Sequence, residues 1–230
     1  MAKPRVEVHP DPAPRAAELL LEAAAAGGHV VLTGGSTPKA AYGFAAEAGA
    51  DWSRTELWFS DERCVAPDHE HSNFRMAKDA LISNIEPLAV HRMQGERGPQ
   101  DGADEYEKEL AAVFGPGVVP QFDLILLGLG PDAHCASLFP NNPELGIRDR
   151  NVAGVEQPGM APLVPRITLT LPALNAGARV VFLVAGEEKA EAVRRAFAGP
   201  PTPDAPSSLL EPRGDFLLVC DAAAASALPR

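Results

Sequence analysis

The chain has 230 residues, 46% apolar and 22% charged, a balance ordinary for a soluble globular protein with a sizeable core. A net charge of −11 argues against a nucleic-acid surface, and no apolar run approaches the length of a membrane span, so neither nucleic acid nor membrane is an expected partner. Cys64, Cys135 and Cys220 are too few and too scattered for a disulfide framework or a zinc cluster. With a polar, proline-rich start and no apolar leader, the expectation is a cytoplasmic protein with reduced thiols.

Residues 5–9 can form a short edge strand, and the Ala-, Leu- and Glu-rich residues 15–26 a helix that Gly27 and Gly28 stop. A β-branched strand over 29–33 runs into Gly34-Gly35-Ser36-Thr37-Pro38, followed by a helix over 39–48. Thr37 suits its N-cap and Pro38 its first position. A glycine pair between a strand end and a helix N-terminus exposes backbone N–H groups, so Gly35, Ser36 and Thr37 are candidate anion ligands. The segment is not G-x-S-x-G, which makes Ser36 a poor nucleophile.

A strand over 56–60 leads into Asp61-Glu62-Arg63. Three consecutive charges suggest a solvated turn, here at the carboxyl edge of a strand. Ser72 suits the N-cap of a helix reaching 82. His69, Glu70 and His71 lack a further ligand at regular spacing, so no metal site is expected. Beyond a short strand over 90–93 and a turn over 98–102 comes a helix over 101–114 with Ala103, Tyr106, Leu110 and Val113 on one apolar face. A loop over 115–120 returns the chain to the sheet.

Residues 124–127 are apolar on both alternating faces, as in a strand covered on both sides. Gly128, Gly130 and Pro131 break it, and Asp132 and His134 follow at once. A carboxylate and an imidazole thus stand where open α/β sheets place their ligand crevices, and an Asp-oriented His moves protons near neutral pH. Residues 141–165 are polar and turn-rich, a lid or an edge hairpin; 166–171 read as an alternating strand and 179–184 as a buried one. The next helix spans 189–197, and Lys189 in its first turn opposes the helix dipole, the kind of local rule-breaking found at functional sites. A loop over 199–206, a turn at Ser207-Ser208, a strand over 216–220 and a frayed alanine-rich tail complete the chain.

Strands and helices alternate throughout. That predicts one α/β domain over 1–230, with a mainly parallel sheet flanked by helices on both faces, Rossmann-like in build. Ser36, Asp61, Asp132, His134 and Lys189 each follow a predicted strand, so one sheet edge gathers them.

The run over 128–140, G-L-G-P-D-A-H-C-A-S-L-F-P, closely resembles the 6-phosphogluconolactonase family signature G-x-G-x-D-G-H-T-A-S-L-F-P. Ala133 stands where the family has Gly, a strained choice if that residue takes a positive φ, and Cys135 where it has Thr. G-G-S-T-P resembles the family's phosphate loop. D-E-R with Val65 and Ser72-Asn73 resembles D-E-R-x-V-x-x-x-x-x-x-S-N. R-I-T-L-T at Arg166 and G-x-x-K-A-x-A-V at Lys189 resemble two further blocks, the five together spanning about 28–195. The Lys that the family usually carries shortly before Arg166 is missing.

The resemblance implies a fold similar to glucosamine-6-phosphate deaminase and hydrolysis of 6-phospho-D-glucono-1,5-lactone in the oxidative pentose phosphate pathway. His134 would be the general base toward water, with Asp132 orienting it. Asp61 and Arg63 would line the active site together with Asn73, and Arg63 would contact substrate. Gly128 and Gly130 backbone N–H groups, or Arg63, would hold the oxyanion. Ser36, Thr37, Arg166 and Lys189 would grip the phosphate. No metal or organic cofactor is implied, and a monomer or weak homodimer is expected. Three alternatives stay open. One is a sugar-phosphate isomerase or deaminase, although that relative resembles A-F-N-E-P and D-E-Y where this chain has A-S-L-F-P and D-E-R. Another is nucleophilic catalysis by Cys135 beside His134. The third is a weakly catalytic sugar-phosphate-binding protein on the same fold.

Overall fold

A computed structural model describes residues 3–229. In chain order the elements are β1 (Arg5–Val8), α1 (Pro12–Ala26), β2 (Gly28–Leu32), α2 (Ser36–Glu47), β3 (Thr55–Phe59), β4 (Asp61–Arg63), α3 (Asn73–Ala80), β5 (Ala89–Val90), α4 (Pro99–Phe114), β6 (Leu124–Leu127), β7 (Val152–Val155), β8 (Arg166–Leu169), α5 (Leu171–Asn175), β9 (Arg179–Val184), α6 (Ala190–Phe197) and β10 (Asp215–Cys220). Seven strands form one sheet in the order β1-β10-β9-β6-β2-β3-β5, every pair parallel. β4, β8 and β7 form a smaller antiparallel sheet.

The central strand β6 is buried at all four residues, and β9 at all but its first. Both alternating faces are therefore covered, which a parallel sheet requires. Tyr42 on α2 ties that helix to the end of β2: its hydroxyl accepts from Thr33 N–H at 2.8 Å and donates to Thr33 O at 2.9 Å. Tyr106 on α4 does the same for β3, its hydroxyl accepting from Phe59 N–H at 2.9 Å. Each buried hydroxyl satisfies a polar group and places a strand end. Among the described residues no helix is long and apolar enough to cross a membrane.

Several sequence expectations shift. α2 begins at Ser36 rather than at residue 39, because Gly35 at φ 118 turns the chain early and takes the N-cap, with no side-chain cap. Thr37 lies inside the first turn instead of capping it. Asp61-Glu62-Arg63 is no solvated turn but the buried strand β4, with Asp61 5% and Glu62 3% exposed. Glu62 is absorbed because its carboxylate accepts from Ser72 Oγ and from the backbone N–H groups of Arg63, Asn73 and Phe74, capping α3. Burial still pushes its pKa up against those four bonds. α4 starts at Pro99, within the expected turn, and Val113 is 40% exposed rather than on the buried face.

The excursion over 141–165 resolves in favour of an edge hairpin: β7 pairs antiparallel with β8. All four residues of β8 are buried, so it does not alternate, and it ends at Leu169 before the short α5. The alanine-rich tail is pinned rather than frayed. Asp221 accepts from Gly186 N–H at 2.9 Å and from Ala224 N–H at 2.7 Å, and Ala224 is fully buried.

Candidate active site

A cavity of about 280 Å³ opens at the carboxyl edge of the large sheet. Gly35, Ser36, Thr37, Asp61, Arg63, Asn73, Gly128, Gly130, His134, Arg166 and Lys189 all line it, although they come from six different elements and their loops. Of the residues that the lactonase resemblance assigns to the site, Asp132 alone stays off the wall. It stands behind His134, its Oδ1 2.6 Å from Nδ1 and 3.1 Å from the His134 N–H. Burial acts to raise the pKa of Asp132, but the hydrogen bond and charge of His134 outweigh it and hold the carboxyl below its usual range. With Nδ1 engaged, Nε2 has no hydrogen bond among the described residues, and it is the nitrogen left for a substrate.

The pair needs Gly130 for space. A Cβ there would lie 2.0 Å from His134 Nδ1 and 2.7 Å from Asp132 Oδ1. The Gly130 N–H already donates to His134 O at 2.9 Å, so it is not an oxyanion donor. Arg63 lines the cavity; its Nη1 donates to His71 O at 2.8 Å, and its Nε is buried with no partner among the described residues.

Backbone strain collects around His134. Ala133 (φ 68), Ala136 (φ 48) and Asn141 (φ 60) are the positive-φ non-glycine residues among those described. For an alanine that region costs about 1–2 kcal/mol, and such outliers cluster where geometry serves function.

α2 presents an end suited to an anion. Its first turn leaves backbone N–H groups without intrahelical acceptors, and no side chain caps them. The Lys189 Nζ donates to Leu129 O at 2.9 Å; burial lowers its pKa, opposed by Glu188 and Asp132. Arg166, 3% exposed, spends Nε and Nη2 on the carbonyls of Val164, Met160 and Pro162. It therefore fastens the segment lacking the expected Lys, and burial lowers its pKa.

Asp61 is held from three sides. Ser137 Oγ donates to Oδ2 at 2.6 Å, and Asn73 Nδ2 to Oδ1 at 3.1 Å and to the Asp61 carbonyl at 3.0 Å, while Ser60 Oγ lies 3.3 Å from Oδ1. Asn73 thus orients Asp61 besides lining the cavity. Gly34 makes room, since a Cβ there would sit 2.2 Å from Asn73 Oδ1. Sequence reasoning missed three contributors. Phe139 lies beneath both the His134 ring, at 4.6 Å, and the Arg166 guanidinium, at 5.7 Å. Ser137 was visible only as part of A-S-L-F-P. Glu188 lines the cavity beside Lys189, and its signal was the E-E-K run. Cys135 is fully buried with its thiol pushed up to about 12 by burial, so it is no activated nucleophile. Among the described residues no cluster of three or more His, Cys, Asp or Glu could hold a metal ion.

A family model described as glucosamine-6-phosphate isomerases/6-phosphogluconolactonase matches residues 11–218. The chain belongs to that family. A 6-phosphogluconolactonase of Streptomyces coelicolor is 38% identical over 99% of this chain and 95% of its own. Among solved structures, 6-phosphogluconolactonase from Trypanosoma cruzi superposes with a TM-score of 0.84 at 28% identity, covering 99% of this chain and 98% of that one. A monomeric glucosamine-6-phosphate deaminase gives a TM-score of 0.81 at 18% identity, over 98% of this chain and 100% of its own, and shares the fold. Within the family, the retained Asp132–His134 pair and the buried Asp61–Ser137 contact lie on the stretches that carry the lactonase resemblance.

Proposed function

We propose that the protein hydrolyses 6-phospho-D-glucono-1,5-lactone to 6-phosphogluconate, the second step of the oxidative pentose phosphate pathway, as one domain. A monomer or weak homodimer in the cytoplasm belongs to this reading, and the three cysteines are free thiols. The observation that carries it is the Asp132–His134 pair with Nε2 unengaged, beside a cavity that the uncapped N-terminus of α2 also lines.

A lactone is an activated ester, so water needs a base and no covalent nucleophile. His134 Nε2 takes a proton from water as its oxygen bonds to the lactone carbonyl carbon. The carbonyl π electrons move to oxygen, and Arg63 faces that oxyanion. Collapse breaks the bond to the ring oxygen, and His134 returns its proton there. Asp132 stabilises the transient imidazolium. The phosphate sits on the α2 N–H groups with Ser36 and Thr37 hydroxyls, opposite Lys189 and Arg166. The local cations answer the repulsion that a −11 chain exerts on an anion.

The test offers the native chain freshly made 6-phosphogluconolactone, coupled to 6-phosphogluconate dehydrogenase, and separately glucosamine 6-phosphate with ammonia detection. Lactone hydrolysis well above the spontaneous rate, without ammonia release, is expected. Ammonia release would support the deaminase alternative. Binding without turnover of either would support a sugar-phosphate-binding protein.

A further inference from the structure

The turn that presents the base is held from outside. Ala133, fully buried between Asp132 and His134, sits at φ 68, and its own N–H makes only the local turn bond to Gly130 O, 2.9 Å. The two carbonyls of the turn are fastened elsewhere. Ala133 O accepts from Ser207 N–H at 3.0 Å. Asp132 O accepts from Arg195 Nη1 at 3.4 Å, and Arg195 Nη2 donates to Asp204 O. Asp204 and Ser207 belong to one small folded unit, closed by Ala205 N–H to Thr202 O and by Ser208 N–H to Ala205 O. Arg195, on α6, therefore ties the base-carrying turn to residues 202–208. None of Arg195, Asp204 and Ser207 lines the cavity.

We infer that Arg195 is a positioning residue: with the Ser207 N–H it holds Asp132 and Ala133 in the strained turn from which His134 Nε2 meets the cavity. The inference rests on His134 being the base. An alanine at φ 68 leaves that region once its hold is released, whereas a glycine occupies it without penalty. The cost of losing Arg195 should thus depend on the residue at position 133, although the two side chains have no bond to each other.

The experiment is a double-mutant cycle on lactone hydrolysis: Arg195→Met in the native chain and again in the Ala133→Gly background, with Arg195→Lys carried through both. Arg195→Met should lower kcat roughly tenfold, the population ratio that such strain sets, with KM changed by no more than about twofold. In the Ala133→Gly background the same substitution should lower kcat by about twofold or less, a coupling that independent sites do not show. Arg195→Lys, which keeps charge but loses the fork, should fall between, and it serves alone if Arg195→Met does not fold. A merely structural Arg195 would lower thermal stability equally in both backgrounds and leave kcat per folded molecule unchanged. That result, or an equal kcat loss in both backgrounds, would overturn the inference. His134→Ala run in parallel separates the two levels. Retained activity there removes the base and this inference with it, whereas lost activity with a flat Arg195 cycle removes this inference alone.

Discussion

Among the described residues, two histidines hydrogen-bond to carboxylates through their rings, and they differ in what is left over. His134 is 15% exposed in its side chain and His91 13%, so burial does not separate them. The partners do. His91 has both nitrogens taken, Nε2 2.7 Å from Glu56 and Nδ1 2.8 Å from Glu109, and its ring stacks on Trp58 at 3.7 Å. His134 has one nitrogen taken by Asp132 and one facing a cavity. The first arrangement is a clamp between β3, the chain after β5, and α4. The second is the arrangement that the proposed proton transfer uses. A His–carboxylate pair becomes chemistry only when it keeps a nitrogen in reserve beside space for a substrate.

The comparison breaks most sharply at Asp132. Asp132→Asn removes the charge that supports the imidazolium, so kcat should fall by about 10²-fold or more, within the range of acid–base catalysis, with little change in KM. Steady-state kinetics of the coupled lactonase reaction measure it. Lys189→Ala should act on binding instead. On the proposed reading it loses a charged hydrogen bond to the phosphate, so KM should rise by roughly ten- to a hundredfold while kcat moves less, as the same assay run over substrate concentration reads.

The clamp is sharpened through stability. Burial alone would lower the pKa of His91, but its bonds to Glu109 and Glu56 and their charges raise it above the ordinary 6.5. A raised folded value stabilises fully below about pH 6.5 and is lost as pH rises through the folded value. Urea unfolding at pH 6 and pH 8 should show the native chain losing stability over that window. His91→Gln should be less stable by about 1–3 kcal/mol at the lower pH and nearly flat across it. The smallest effect is expected at Cys135: Cys135→Ala should leave kcat within about twofold, because a buried thiol far from ionising at neutral pH supplies no nucleophile. A large kcat loss with KM intact would reopen the cysteine route.

The sheet was legible where burial writes a continuous apolar run. β6 and β9 start and end where the sequence alone puts them, because both faces of each are covered. It was less legible where one residue's backbone decides. Gly35 at φ 118 starts α2 before the capping signals of Thr37 and Pro38. β4 was hidden because charged residues read as solvated until Glu62 finds the α3 N-terminus and Asp61 finds Ser137 and Asn73, partners far along the chain. The site residues were visible as short strand-end motifs. Phe139 under two functional side chains and Arg195 behind the base turn were not, since both act through contacts that only the folded chain makes.

The most direct test of the account is the rate of 6-phosphogluconolactone hydrolysis by His134→Gln beside the native chain, with spontaneous hydrolysis subtracted. The reserved Nε2 predicts a kcat lower by about 10²–10⁴-fold with KM nearly unchanged. A His134→Gln protein within about tenfold of native kcat would contradict it, and the base would have to be sought among the other cavity residues, beginning with Asp61 and Glu188.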